Sequence, residues 1–284
     1  MRNRPAQDRN LRSLIWVRLA CQEQLLPGTT LEERFDAAQR AGFDGIELRA
    51  RGDGHFASRL PELRAAARAG VVMRTVCPET DHFIGDFEAE LRRDAITQLR
   101  SQLSVIAELG GEGVLTPASW GMFSLRLPPF TPPRRAAEDR AVLLEALVEL
   151  SEHAAREGVW LALEPINRYE DYMLNRLEQA VDLAEETERA TGYGSVRVVA
   201  DLFHMNIEED DLAKAITAAG ARIAHVHVDD SNRLQPGTGH IDFPAVFEAL
   251  HEIGYDGWLA LECRLRGEPA AALAETTRLL RPFL

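Results

Sequence analysis

One unit repeats eight times along this chain: a short apolar run with the content of a β-strand, a polar loop, and then a stretch of helical period. The apolar runs cover residues 14–19, 45–48, 71–76, 114–116, 159–163, 196–201, 223–228 and 258–262. The first helix starts at Thr30, where Glu33 three residues on makes a capping box, and the others are expected at 59–69, 87–109, 135–156, 177–190, 210–219, 244–253 and 269–280. No hairpin signal separates consecutive runs, so neighbouring strands must lie parallel. Eight strand-helix units in a row predict an α/β fold, the closed (β/α)8 TIM barrel, as a single domain. A doubly wound open sheet is the alternative, but it needs a glycine-rich dinucleotide turn after the first strand, and the sequence has none there. Residues 1–10 are charged and aperiodic and are expected to form a flexible leader to a barrel spanning 11–284.

The bulk numbers agree with one large core. The 284 residues are 45% hydrophobic and 27% charged, which supplies a barrel and leaves nothing of a disordered composition. No segment reaches the roughly 18 uninterrupted apolar residues of a membrane helix, and MRNRPAQDRN lacks the apolar centre of a signal peptide. The expectation is a soluble, cytoplasmic protein with no membrane partner. Cys21, Cys77 and Cys263 are an odd number without a C-x-x-C spacing, which points to free thiols. A net charge of −13 repels a phosphate backbone and argues against nucleic acid, so a small, neutral or metal-chelating substrate fits better.

In a barrel of this kind the active site forms at the C-terminal ends of the strands. Four of the last strands carry a metal-type ligand there: Glu164, Asp201, His227 and Glu262. Three carboxylates and an imidazole would make an oxygen-rich site, suited to Mn²⁺ first and to Mg²⁺ or Co²⁺ next. Each residue also has a plainer reading. A strand-terminal Glu can be a salt-bridge partner, Asp201 and His204 can be a loop cap and its neighbour, and one of His225 and His227 can be a hydrogen-bonded core histidine. After Glu164, Pro165 forbids a simple continuation, and Asn167, Arg168 and Glu170 follow as polar loop residues. The long loop 117–133, with Trp120, Met122, Phe123 and Phe130, reads as a lid or an oligomer contact, and a homo-oligomer, dimer or tetramer, is the expected assembly.

The segments LEPINRYE, DLFHMN, HVHVDDSNR and ALE, together with GFDGIEL at 42–48, resemble the metal-dependent sugar isomerase/epimerase superfamily with xylose-isomerase-like barrels, and within it the ketose 3-epimerases typified by D-tagatose and D-psicose 3-epimerases. The resemblance implies that Glu164, Asp201, His227 and Glu262 bind the metal and that Glu164 and Glu262 also act as the catalytic acid/base pair. It implies substrate-binding roles for Glu170, His204 and Arg233. The implied substrate is a small-molecule sugar, a ketose or keto-acid sugar, epimerised at C3 through a cis-enediolate. Where ketose 3-epimerases continue with proline after the eighth strand, this chain has Cys263, Arg264, Leu265 and Arg266. Arg264 or Arg266 is therefore either a carboxylate or phosphate recogniser or surface charge. The same barrel serves aldose-ketose isomerases of the hydroxypyruvate isomerase type, inosose dehydratases and apurinic endonucleases, and a non-catalytic metal-containing subunit is a further alternative.

Overall fold

The computed structural model describes residues 17–126 and 128–284. Eight parallel strands close into one barrel: β1 (Arg18–Gln22), β2 (Gly45–Arg51), β3 (Met73–Glu79), β4 (Gly113–Pro117), β5 (Trp160–Glu164), β6 (Val196–Asp201), β7 (Ile223–Val228) and β8 (Trp258–Leu261). Closure is made by β1 against β8, with Arg18 opposite Trp258 and Cys21 opposite Leu261. The expected barrel is present. The expected leader at 1–10 lies outside the described residues.

Helices alternate with the strands: α1 (Leu31–Ala41), α2 (His55–Ser58) and α3 (Leu60–Arg68), α4 (Ala89–Glu108), α5 (Ala136–Glu157), α6 (Leu177–Thr191), α7 (Leu202–Glu208) and α8 (Leu212–Ala219), α9 (Phe243–Glu252) and α10 (Pro269–Leu280). The capping box at the start of α1 is formed, Thr30 Oγ1 accepting from the backbone N–H of Glu33 while the Glu33 carboxylate accepts from that of Thr30. The helix ends at Gly42 with φ +95°, a left-handed cap that a side chain would strain. Among the described residues no helix is long and apolar enough to cross a membrane.

Side chains alternate along each strand. On β5 Leu161 and Leu163 join the main core shared with the helices, whereas Ala162 packs with Leu115 and Val199 in a separate interior layer. Leu163 is wholly buried, and its truncation to Ala should cost about 2–5 kcal/mol. Trp160 and Trp258 stand at the N-terminal ends of β5 and β8. A Cβ on Gly113 would lie 2.2 Å from the Trp160 ring, so the close pairing of β4 with β5 requires glycine there.

Two boundaries differ from the sequence reading in an instructive way. The first strand is expected at 14–19, but it is Arg18–Gln22, and residues 14–16 lie outside the described residues. Its end carries Gln22, a polar residue wholly buried because its amide donates to Glu47. Strands β2 and β3 likewise run three residues past their last expected positions, Leu48 and Val76. The added residues include Arg49, Cys77 and Glu79.

Candidate active site

Strands β5 to β8 deliver their terminal side chains to one point. Glu164, Asp201, His227 and Glu262 each offer a ligand atom, and these atoms all lie within 4.8 Å of one another. Nδ1 of His227 is the centre, at 2.9 Å from Oε1 of Glu164, 2.7 Å from Oε2 of Glu262 and 3.6 Å from Oδ2 of Asp201. Burial lowers the pKa of this imidazole, but the carboxylates of Glu262, Glu47 and Glu164 outweigh it and raise the value well above the ordinary one. The point attracts positive charge, either a proton or a metal cation. Glu262 shows the converse: burial raises its pKa, while His227 and Arg233 pull it down to about 2.

Asp201 has two places in the structure. Its Oδ1 accepts from the backbone N–H of His204 and caps α7, and its Oδ2 belongs to the cluster. His204 accepts from the backbone N–H of Asn167 at Nδ1, which turns its Nε2 toward Asp201 at 3.9 Å. Arg233, for which the resemblance implies a substrate-binding role, reaches into the cluster itself. Its Nη1 donates to Asp201 and Asp229, at 2.7 Å each, and its Nη2 lies 3.2 Å from Oε2 of Glu262.

Above the cluster opens a cavity of about 460 Å³. Glu164, Glu262, Glu170, His204 and Arg233 all line it, so the residues singled out for substrate share one space with the two glutamates singled out for chemistry. Glu170 is held there by Trp120, whose Nε1 donates to its Oε2 at 2.8 Å, and by the Asn167 amide at 2.7 Å. Trp120 thus brings the long loop between β4 and α5 to the cavity wall.

The pattern matches a family model described as xylose isomerase-like TIM barrel over residues 35–283. The chain belongs to the xylose isomerase-like TIM barrel family. A relative named 3-dehydro-D-guloside 4-epimerase from Escherichia coli (strain K12) is 38% identical over 268 residues, 93% of this chain and 99% of the relative. One named L-ribulose 3-epimerase from Methylomonas sp. (strain DH-1) is 32% identical over 232 residues, 79% of this chain and 75% of the relative. Among solved structures, the apo form of 3-keto-D-glucoside 4-epimerase from E. coli superposes with a TM-score of 0.85 at 36% identity, covering 94% of this chain and 99% of that one. The family resemblance drawn from the motifs is borne out, and the relatives described above are named as epimerases.

Within this family fold the structure adds residues that sequence reasoning passed over. Arg49 and Cys77 line the cavity, with Arg49 Nη1 at 2.8 Å from Cys77 Sγ and 3.6 Å from Oε1 of Glu262. Glu47 lies beneath the cluster on the same face of β2 as Arg49, and the alternation along GIELRAR is the signal that would have found both. Three arginines lie outside the cavity. Arg168 turns away to Glu208 on α7, at 2.8 Å, and does not line the cavity. Arg264 and Arg266 are exposed and outside it, held by backbone bonds to Arg233 and Gln235, so they are surface charge and not anion recognisers for this cavity.

Proposed function

We propose that this chain is a metal-dependent epimerase of a neutral keto-sugar, in which Glu164 and Glu262 exchange the proton on the carbon beside the ketone. The observation that carries the reading is the approach of both carboxylates to one imidazole nitrogen at the wall of the cavity, Glu164 at 2.9 Å and Glu262 at 2.7 Å. Three carboxylate oxygens and an imidazole nitrogen are a fitting donor set for one divalent cation, with Mn²⁺ favoured and Mg²⁺ or Co²⁺ next. When bound, that ion supplies Lewis-acid polarisation of the substrate carbonyl.

The protein's own part is to hold the sugar and move protons. One glutamate removes the proton from one face of the carbon, leaving a planar enediolate, and the other returns a proton to the opposite face. A single base would restore the starting configuration. Strands β5 and β8 are three apart in the barrel order, which lets the two carboxylates approach a sugar from different sides. Oε1 of Glu262, facing Arg49 and Cys77, is its oxygen free of His227. Glu170, His204 and Arg233 supply hydrogen bonds to sugar hydroxyls.

The charge of the cavity favours a neutral substrate. Its wall carries Glu79, Asp81, Glu164, Glu170 and Glu262 against Arg49 and Arg233, and both arginines are already paired with Glu262. A phosphate or carboxylate would meet net negative charge. The full-length likeness to the E. coli epimerase favours a 3-keto-glycoside inverted at C4, and the likeness to the Methylomonas enzyme keeps C3 inversion of a free ketose as the second reading. A substrate screen in deuterated water with added Mn²⁺ tests this. Label at C4 of a 3-keto-glycoside supports the first reading, and label at C3 of a ketose supports the second. Label at C1 means aldose-ketose isomerisation. No label in any sugar contradicts catalysis of this type.

A further inference from the structure

Resting on the metal reading of the cluster, we infer that Glu47 is the positioning residue that decides which nitrogen of His227 faces the ion. Glu47 lies inside the barrel on β2 and is wholly buried, yet both of its carboxylate oxygens are hydrogen-bonded. Its Oε1 accepts from Nε2 of Gln22 on β1 at 3.0 Å and from Nε2 of His227 on β7 at 2.9 Å. Its Oε2 accepts from Oγ1 of Thr75 on β3 at 2.8 Å and lies 2.8 Å from Nε2 of His225. A carboxylate offers about four lone-pair sites, and four groups from three other strands face them here.

Two consequences follow from that geometry. With its hydrogen on Nε2 and donated to Glu47, the His227 ring turns the Nδ1 lone pair toward Glu164, Asp201 and Glu262. The ring is also fixed in plane, because His225 packs edge-on to it at 5.1 Å between centroids. Burying a carboxylate is costly unless its partners make up for it, and an apolar side chain would fill the same space without that cost. Orientation of a ligating imidazole by a carboxylate on its other nitrogen accounts for the choice of Glu at this position. The group Glu47, His225 and His227 also has its ligand atoms within 4.8 Å of one another. Nε2 of His227 is taken up by its hydrogen bond to Glu47 at 2.9 Å, whereas Nε2 of His225, 2.8 Å from Glu47, lacks hydrogen-bond geometry, so the group is read through the His227 bond and not as a second ion site.

The test is the Mn²⁺ affinity of the full chain, measured by competition with a chelator, in wild type, Glu47→Gln and Thr75→Val. Glu47→Gln should weaken binding about 10–100-fold with an unchanged circular-dichroism spectrum, and Thr75→Val, which removes one bond to Glu47, by a smaller factor. Wild-type affinity in Glu47→Gln overturns the inference alone, whereas a wild-type chain that takes up no Mn²⁺ overturns the metal reading and this inference with it. Two ions per wild-type chain also overturn it, since Nε2 would then be a ligand. If Glu47→Gln does not fold, nuclear magnetic resonance of nitrogen-labelled histidine in the Mg²⁺-loaded wild type decides: the inference requires a protected proton on Nε2 of His227, and a proton on Nδ1 sinks it.

Discussion

Nδ1 of His227, on β7, lies 2.7 Å from Oε2 of Glu262, the first residue past β8. Adjacent strands thus bring a wholly buried imidazole into contact with a carboxylate at the cavity wall, and Arg233 closes on the same oxygen from the loop after β7. Charges gathered this way outside water are costly unless each has a partner. A cation shared by the four candidate ligands would satisfy the acidic surplus of the site.

Metal content is the first consequence. Asn at position 201 can still accept the N–H of His204 and cap α7, so Asp201→Asn removes charge with little damage to the helix. Wild type should carry one divalent ion per chain by native mass spectrometry, and Asp201→Asn should lose most of it. A full complement in the variant would exclude Asp201 as an essential ligand.

Arg49 provides a separate test of the cavity wall. Its backbone N–H is held by Glu23 at 2.7 Å, and its guanidinium lies between Cys77 and the cavity-facing oxygen of Glu262. Arg49→Met should lower kcat/KM by about tenfold or more, the worth of one hydrogen bond to a charged group, and leave metal content unchanged. Steady-state kinetics beside metal analysis would show it. Unchanged kinetics would remove Arg49 from the site.

Asp171 gives the fold a pH dependence of defined sign. The residue is wholly buried beside Ser119, and burial raises its pKa to about 6 against the partial relief of its hydrogen bonds. A carboxyl raised above its unfolded value of about 3.9 contributes stability that is complete below that value and lost as pH rises through the folded one. Between pH 4 and pH 7 this group should therefore withdraw about 3 kcal/mol from wild type. Urea unfolding of Asp171→Asn should lack this decline, so the difference between variant and wild type should shift in the variant's favour across that interval. A difference independent of pH would mean that Asp171 ionises normally in the fold.

The sequence carried the barrel because apolar alternation fixes each strand and the helical periods fix the crossovers, and the four strand-end candidate ligands were legible because β5 to β8 end at or next to them. What stayed hidden lay at the ends of β2 and β3. There the strands continue as polar inward residues, Arg49, Cys77 and Glu79, and a reading that stops each strand at its last apolar residue stops before the mouth of the barrel. Glu47 was hidden for another reason. Its partners Gln22, Thr75 and His227 come from three other strands, a convergence that exists only after closure. The placement of β1 failed on the same ground, since Gln22 earns its buried place through Glu47 and not through apolarity. Helix α7 was missed because its seven residues are too few to display a period.

The central claim is that two glutamates act on opposite faces of one carbon, and proton exchange without inversion tests it most directly. Glu164→Gln and Glu262→Gln keep the size of the side chain and one ligand oxygen while removing the base. In deuterated water with Mn²⁺, each variant, metal bound, should lose net epimerisation, and each should still exchange the reacting proton of one epimer, a different epimer in the two cases. Either variant epimerising at the wild-type rate with metal bound would contradict the account.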